Sequence, residues 1–165
     1  QIPTSGLRFF TVYGPWGRPD MSPMLFAKAI SEGNPLKVFN YGKHQRDFSY
    51  IDDVVLGVVH TLDRPAKPNS DWSGKSPDPA SSSAPWRIYN IGNSQPVELL
   101  YYIECIEKAL GKKSKKELLP IQPGDVEGTY ADVSALMKAT KFRPNTPIEK
   151  GVNLFIKWFK EYYHL

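Results

Sequence analysis

The sequence predicts a mixed α/β fold with several helices and only short strands, and without a complete doubly wound sheet of its own. Three observations carry this. Leu7 to Tyr13 is a dense apolar and aromatic run of strand character that halts at Gly14-Pro15. Stretches with apolar residues at three- and four-residue spacing recur down the chain and read as amphipathic helices. Between them, the strand-like pieces are only four to six residues long. With 165 residues, 41% hydrophobic and 23% charged, the chain is long enough to bury a core.

Taken in order, the opening run reads as a buried strand that delivers Thr11 and then a loop arginine, Arg18, to one neighbourhood. Ser22-Pro23 is a helix start, with serine as cap and proline in the first turn. Leu25, Phe26, Ala29 and Ile30 give that helix its apolar face, and Gly33-Asn34-Pro35 ends it. Leu36 to Phe39 and Arg46 to Ile51 read as short strands joined by a polar link. Asp52-Asp53 opens a second helix, with Val54, Val55, Val58, Val59 and Leu62 expected on its buried side. Residues 64–85 are rich in Pro, Ser, Asp and Gly and read as a long surface loop anchored by Trp72. Arg87 to Ile91 is a strand, and Val97 to Leu110 a helix closed by Gly111. Glu117 to Ile121 reads as a further short strand, and Asp132 as the cap of a helix through Lys138. Thr146-Pro147-Ile148-Glu149 has the pattern of a capping box ahead of a final helix, whose stripe is Ile148, Val152, Phe155, Phe159 and Tyr162.

Composition narrows the function. The net charge of +4 is mild and suits a small polyanionic ligand. The lysines at 112, 113, 115 and 116 read as a solvated helix end; no aromatic-interleaved basic patch accompanies them, so no nucleic-acid partner is expected. No stretch is long and apolar enough to span a bilayer, and no membrane partner is expected. A single cysteine, Cys105, excludes an internal disulfide and reads as a small half-buried apolar residue. His44, His60 and His164 show no metal-ligand spacing.

Several residues have chemistry suited to an anionic ligand. Arg46, at a strand start after a turn-rich link, can grip a diphosphate at two points or pair with Asp47, Asp52 or Asp53, and the two roles are compatible. The ring of Phe39 can stack on a base or pack in the core. Asp125, in Pro-Gly-Asp, can accept from ribose hydroxyls or stabilise its own turn. Tyr13 and Trp16 read as packing residues. No glycine-rich dinucleotide fingerprint follows a strand, and no tyrosine has a lysine four positions on. The residues alone describe a binding domain with no identifiable catalytic machinery.

The strings themselves are recognisable. Gly6 to Met21 resembles the start of the substrate half of extended short-chain dehydrogenase/reductases. Arg46 to Asp53, Arg-Asp-Phe-Ser-Tyr-Ile-Asp-Asp, resembles a second hallmark of that superfamily. With Tyr89 to Gly92, Gln122 to Asp125 and the loop from Asn69 to Pro85, the chain is similar to UDP-glucuronate 4-epimerases. The resemblance implies the C-terminal substrate-binding portion of such an enzyme. Residues 1–20 would then end the Rossmann-associated strand and form the substrate loop, and 21–165 would be the nucleotide-sugar-binding domain. It also implies an NAD-dependent reaction. Hydride leaves the sugar C4 with help from a tyrosine–lysine pair and returns to the opposite face of a 4-keto intermediate, interconverting UDP-glucuronate and UDP-galacturonate. By the same resemblance Thr11 and Arg18 would meet the sugar and its carboxylate, Phe39 the uracil, Arg46 the diphosphate and Asp125 the ribose. Phe9 would approach the nicotinamide. Holding the carboxylate would restrain loss of carbon dioxide from the keto acid. A cytoplasmic homodimer is the expected state of the whole enzyme.

Two departures follow. The glycine fingerprint and the tyrosine–lysine pair are not in these residues, so the chain reads as a piece of a longer one, inactive and not expected to bind NAD by itself. The opening strand is expected to belong to a Rossmann sheet and to lack a partner here. Gln122 stands where galactose-type epimerases carry an arginine to the phosphate, which puts more load on Arg46. Two alternatives remain at this point: a UDP-glucuronate decarboxylase or nucleotide-sugar dehydratase of the same superfamily, and a standalone non-catalytic binding module.

Overall fold

The computed structural model describes all 165 residues. The opening run forms two strands, Thr4–Phe9 (β1) and Thr11–Tyr13 (β2), rather than one. β1 is half-buried to exposed along its length, not the buried strand expected. It is also not without a partner. It pairs in parallel with Trp86–Ile91 (β5), from Thr4 opposite Trp86 to Phe9 opposite Ile91. At Phe10 the chain leaves this pair and enters a second sheet, in which β2 lies parallel to Gln45–Tyr50 (β4). The other edge of β4 pairs antiparallel with Pro96–Glu98 (β6). Pro35–Val38 (β3) and Lys115–Leu118 (β7) form a third, two-stranded parallel sheet. None of the three is a doubly wound sheet, as the short strands predict.

The first helix, Ser22–Glu32 (α1), has Pro23 in its first turn and Gly33 at φ 74° as its stop. Gly33 and Asn34 N–H groups donate to Ile30 and Ala29 carbonyls, the closure expected of a left-handed glycine. Ser22 is already helical and does not cap; the cap position is Met21, whose side chain makes no bond there.

The second helix, Ile51–Leu62 (α2), buries Asp53, Val54, Gly57 and Thr61 and leaves Val55, Val58, Val59 and Leu62 exposed. Of the residues expected inside, Val54 alone is buried; the other four face out, against the apolar spacing. Gly57 allows this, because a Cβ there would lie 3.0 Å from the Ile91 side chain, so the helix seats closely on β5.

Leu99–Leu110 (α3) places Leu99, Ile103 and Ile106 inward together with Tyr102, fully buried and stacked on Phe48. Ser134–Thr140 (α4) begins where Asp132 Oδ1 accepts the Ser134 N–H at 2.9 Å. The last helix, Ile148–Tyr162 (α5), carries the predicted stripe inward except for Tyr162, which is exposed. Its entry has no capping box. Asp53, reaching from α2, accepts the N–H groups of Asn145 and Thr146 at 3.1 and 2.8 Å, while Glu149 takes the Tyr101 hydroxyl.

The larger apolar core is built by α1, α3, α5 and the β2–β4 pair; a smaller cluster joins Val54, Ile91, Ala131, Val133 and Leu136. Each fully buried large side chain here, such as Phe155 or Ile103, contributes about 1.5–3 kcal/mol. Tyr13 enters the core against Gly151, where any Cβ would fall 2.0 Å from its phenol oxygen.

The segment 64–85 runs without a helix or strand of its own, with Trp72 half-buried and donating to the Asp78 carbonyl. The lysine group after α3 is not simply solvated. Lys113, Lys116 and Ser114 converge on the buried Glu107 carboxylate, and Lys112 donates to the Ser31 carbonyl. No helix is long and apolar enough to cross a membrane.

Candidate functional site

A cavity of about 440 Å³ opens between α1, β3 and β4. Its apolar wall is Leu25, Phe26 and Ala29 from α1, with Leu36 from β3 and Leu99 from the start of α3. Its polar side is Lys37, His44, Arg46 and Asp125, and the ring of Phe39 joins the two.

Phe39 is placed by an unusual turn. β3 ends at Val38, and the residues after Phe39 take left-handed conformations in succession: Asn40 at φ 50°, Tyr41 at φ 50° and Gly42 at φ 80°. Asparagine and glycine tolerate that region; a tyrosine there costs about 1–3 kcal/mol and persists because the surroundings hold it. Tyr41 N–H donates to the Leu119 carbonyl, and Gly42 lies against Leu100 so closely that a Cβ would meet it at 2.6 Å. The backbone is therefore spent on aiming Phe39 rather than on extending the strand.

Arg46 is held from three directions. Nη1 donates to the Gln45 and Glu127 carbonyls, each at 3.1 Å, and Nη2 donates to Asp125 Oδ1 at 2.8 Å. Its side chain is only 17% exposed, so this pairing is what makes a buried guanidinium tolerable. A guanidinium has five N–H donors. Three are used, leaving Nε–H and one hydrogen on Nη2. Asp47, Asp52 and Asp53, the acidic neighbours in sequence, do not pair with it. Asp47 is fully buried on the other side of β4, accepting the N–H groups of Asn93, Ser94 and Ala131 at 2.8 to 3.0 Å. Burial pushes the Asp47 carboxyl up, and those three N–H donors pull against it. Asp53 holds the entry to α5, and Asp52 is exposed.

Asp125 is fixed by its own turn and by Arg46, since Oδ1 also accepts the Val126 N–H at 2.9 Å. The turn-stabilising role open for it in the sequence is present in that bond to Val126. Oδ2 faces His44, whose Nε2 lies 3.2 Å away without the alignment of a hydrogen bond. His44 was not singled out by spacing. The signal that finds it is its position two residues before Arg46, which puts both side chains on one face of an extended segment.

Phe39, Arg46 and Asp125, drawn from three separate segments, therefore share one cavity. Thr11, Arg18 and Phe9 are not among its lining residues. Thr11 is half-buried at the start of β2, and Phe9 is 52% exposed at the end of β1. Arg18 lies on the loop before α1 and spends one guanidinium edge on both oxygens of Asp20. That exposed pair raises the arginine and lowers the carboxyl. The same loop is tied to α5 by Trp16, which is 75% exposed yet packs its ring against Trp158 and Tyr162.

Nothing here forms a dinucleotide cradle. β4 runs directly into α2, and β6 directly into α3, with no glycine-rich turn at either junction.

Comparison with known proteins supplies the frame. A model of the NAD dependent epimerase/dehydratase family matches residues 1–92. Protein CapI of Staphylococcus aureus is 51% identical over 163 residues, 99% of this chain and 49% of its own length. A probable UDP-glucuronate 4-epimerase of Rhizobium meliloti is 42% identical over 164 residues, 99% of this chain and 48% of its own. The crystal structure of Bacillus cereus UDP-glucuronic acid 4-epimerase, in complex with UDP-glucuronic acid and NAD, superposes with a TM-score of 0.78 at 32% identity, over 98% of this chain and 46% of that one. The chain spans about half the length of the curated relatives it matches. With the family model covering more than half its residues and extended short-chain dehydrogenase/reductase architecture throughout, the chain belongs to the NAD dependent epimerase/dehydratase family.

Proposed function

We propose that this chain is the nucleotide-sugar-binding portion of a UDP-glucuronate 4-epimerase. The observation that carries the reading is the convergence of Phe39, Arg46 and Asp125 on one cavity that an apolar helix face closes on one side. A uridine diphosphate has a flat base, a diol and a compact pair of negative charges, and these three side chains answer them in turn. Phe39 offers a face to the uracil. The two free N–H donors of Arg46 suit neighbouring phosphate oxygens, with Lys37 adding a second positive charge. Asp125 Oδ2 accepts from the ribose. Thr11 and the free edge of Arg18 are assigned to the hexuronate and its carboxylate, beyond the cavity. Phe9, exposed at the end of β1, is assigned to the nicotinamide side of the intact enzyme.

The redox chemistry that NAD supplies in the family is assigned to polypeptide other than these residues, so this chain by itself is expected to bind and not to turn over. In the intact enzyme the expected product from UDP-glucuronate is UDP-galacturonate; a UDP-pentose would make it a decarboxylase instead. The direct test is calorimetric titration of UDP, UDP-glucuronate and NAD into this chain. UDP and UDP-glucuronate should bind and NAD should not. Absence of UDP binding refutes the reading.

A further inference from the structure

The loop between β2 and α1 carries a strained aromatic residue that the nucleotide reading does not use. Gly14 to Gly17 forms a turn, closed by the Gly17 N–H donating to the Gly14 carbonyl at 3.3 Å. Pro15 stands second in it, as such turns favour. Trp16 stands third at φ 61°, a left-handed place where glycine or asparagine is the usual occupant. A bulky side chain in that conformation is strained and persists only where its surroundings hold it. Here the holding surface is the last helix. The Trp16 ring is 75% exposed, yet its centre lies 5.5 Å from that of Trp158 and 5.2 Å from that of Tyr162, which it meets edge-on; Trp158 and Tyr162 stack on each other.

Arg18, two residues on, begins a second turn, in which the Met21 N–H donates to its carbonyl at 3.2 Å. The Met21 carbonyl accepts the Met24 and Leu25 N–H groups, each at 3.0 Å, and so fastens this end of the loop to α1. Both turn-closing bonds are at the long end of the normal range. Asp20 takes one edge of the guanidinium, but it belongs to the same loop and fixes Arg18 to nothing beyond it. The docked ring of Trp16 ties the arginine's neighbourhood to an element outside the loop.

Resting on the assignment of Arg18 to the hexuronate carboxylate, we propose that Trp16 is a positioning residue for that arginine. Its dock on Trp158 and Tyr162 sets where the free guanidinium edge is presented, and through it the preference for an acidic sugar over a neutral one. Trp16 acts through Arg18 and touches no ligand itself. An arginine on an undocked loop must be ordered at each binding event, which lowers affinity; a docked one is already in place. The left-handed backbone sharpens the point. Glycine would suit the turn better, so an aromatic residue there serves the ring's contact with α5 and not the turn.

The test is calorimetry on this chain with UDP-glucuronate and UDP-glucose, whose sugars differ only in the carboxylate. The natural chain should bind UDP-glucuronate about tenfold more tightly. Trp16→Gly keeps the turn and removes the ring; it should cut that preference to about twofold or less and leave the affinity for UDP-glucose unchanged. Trp16→Phe, which can still stack, should keep most of the preference. Trp16→Gly combined with Arg18→Gln should lose no more preference than Arg18→Gln alone, because both act on one contact. If Trp16→Gly keeps the full preference, the turn places Arg18 without the ring and the proposal is wrong. If Trp16→Gly weakens both sugar nucleotides alike, the ring is a structural support only, and the proposal is again wrong. If the natural chain binds both equally, the assignment of Arg18 fails and the Trp16 role with it, while the uridine diphosphate site stands. If neither binds, the nucleotide reading itself has failed and takes this role with it.

Discussion

At Arg46, geometry matters more than charge. Its planar head satisfies two backbone carbonyls and Asp125 at once and still keeps two donors unused. A lysine would keep the positive charge but has three donors on a single nitrogen and cannot span those acceptors. Arg46→Lys is therefore expected to weaken UDP binding about tenfold, by calorimetry, and to free Asp125; unchanged affinity would show that charge alone suffices. Much of this site was legible at the level of single residues. Phe39, Arg46 and Asp125 each stood at a strand end or in a tight turn with a side chain suited to one part of a nucleotide. What was not legible was the pairing. The acidic residues beside Arg46 in sequence turn elsewhere, and the one that meets it comes from a loop 79 positions on. His44 escaped for a related reason: its place two residues before Arg46 means little until folding buries it beside a carboxylate.

Among the elements, the helices with strong apolar spacing and a glycine stop, α1 and α3, form nearly where the sequence puts them. The errors fall where a distant side chain or a close approach decides. Thr146 to Glu149 carries a capping pattern, but Asp53 from α2 reaches the donors just before the helix. On α2, Val55, Val58 and Val59 are on the outside because Gly57 and Thr61 let the helix seat closely, a preference for closeness that counting apolar residues does not register. The turn from α3 to β7 depends on Glu107. Burial would push its carboxyl up, but Lys116, Ser114 and Lys113 outweigh that and hold it down at about 2, against an ordinary 4.5. A carboxyl lowered by folding stabilises the folded state above its unfolded value, and that contribution fades as pH falls from about 4.5 toward 2. Glu107→Gln should cost about 2 kcal/mol near neutral pH. The gap in thermal midpoint from the natural chain should narrow steadily below pH 4.5. A gap independent of pH would mean that the carboxylate's charge plays no part.

For the molecule as a whole, two apolar clusters divide the work: the larger supports the cavity through α1, α3 and α5, and the smaller secures β5 between α2 and α4. The class was readable because helix period and short strands are local properties. The strand order was not, because pairing β1 with β5 rather than with β2 is a choice among distant segments. That pairing also bears on how the molecule assembles. Thr4 meets Trp86 only after β2, α1, β3, β4, α2 and the segment 64–85 have been closed into the span between them. Closing so long a span is slow compared with forming neighbouring hairpins and helices. The amides of Leu7 and Phe9 should thus gain protection in pulse-labelled hydrogen exchange after those of α3 and α5; equal or earlier protection would refute this. The residues that come earliest in this sequence would be the last of it to find their place.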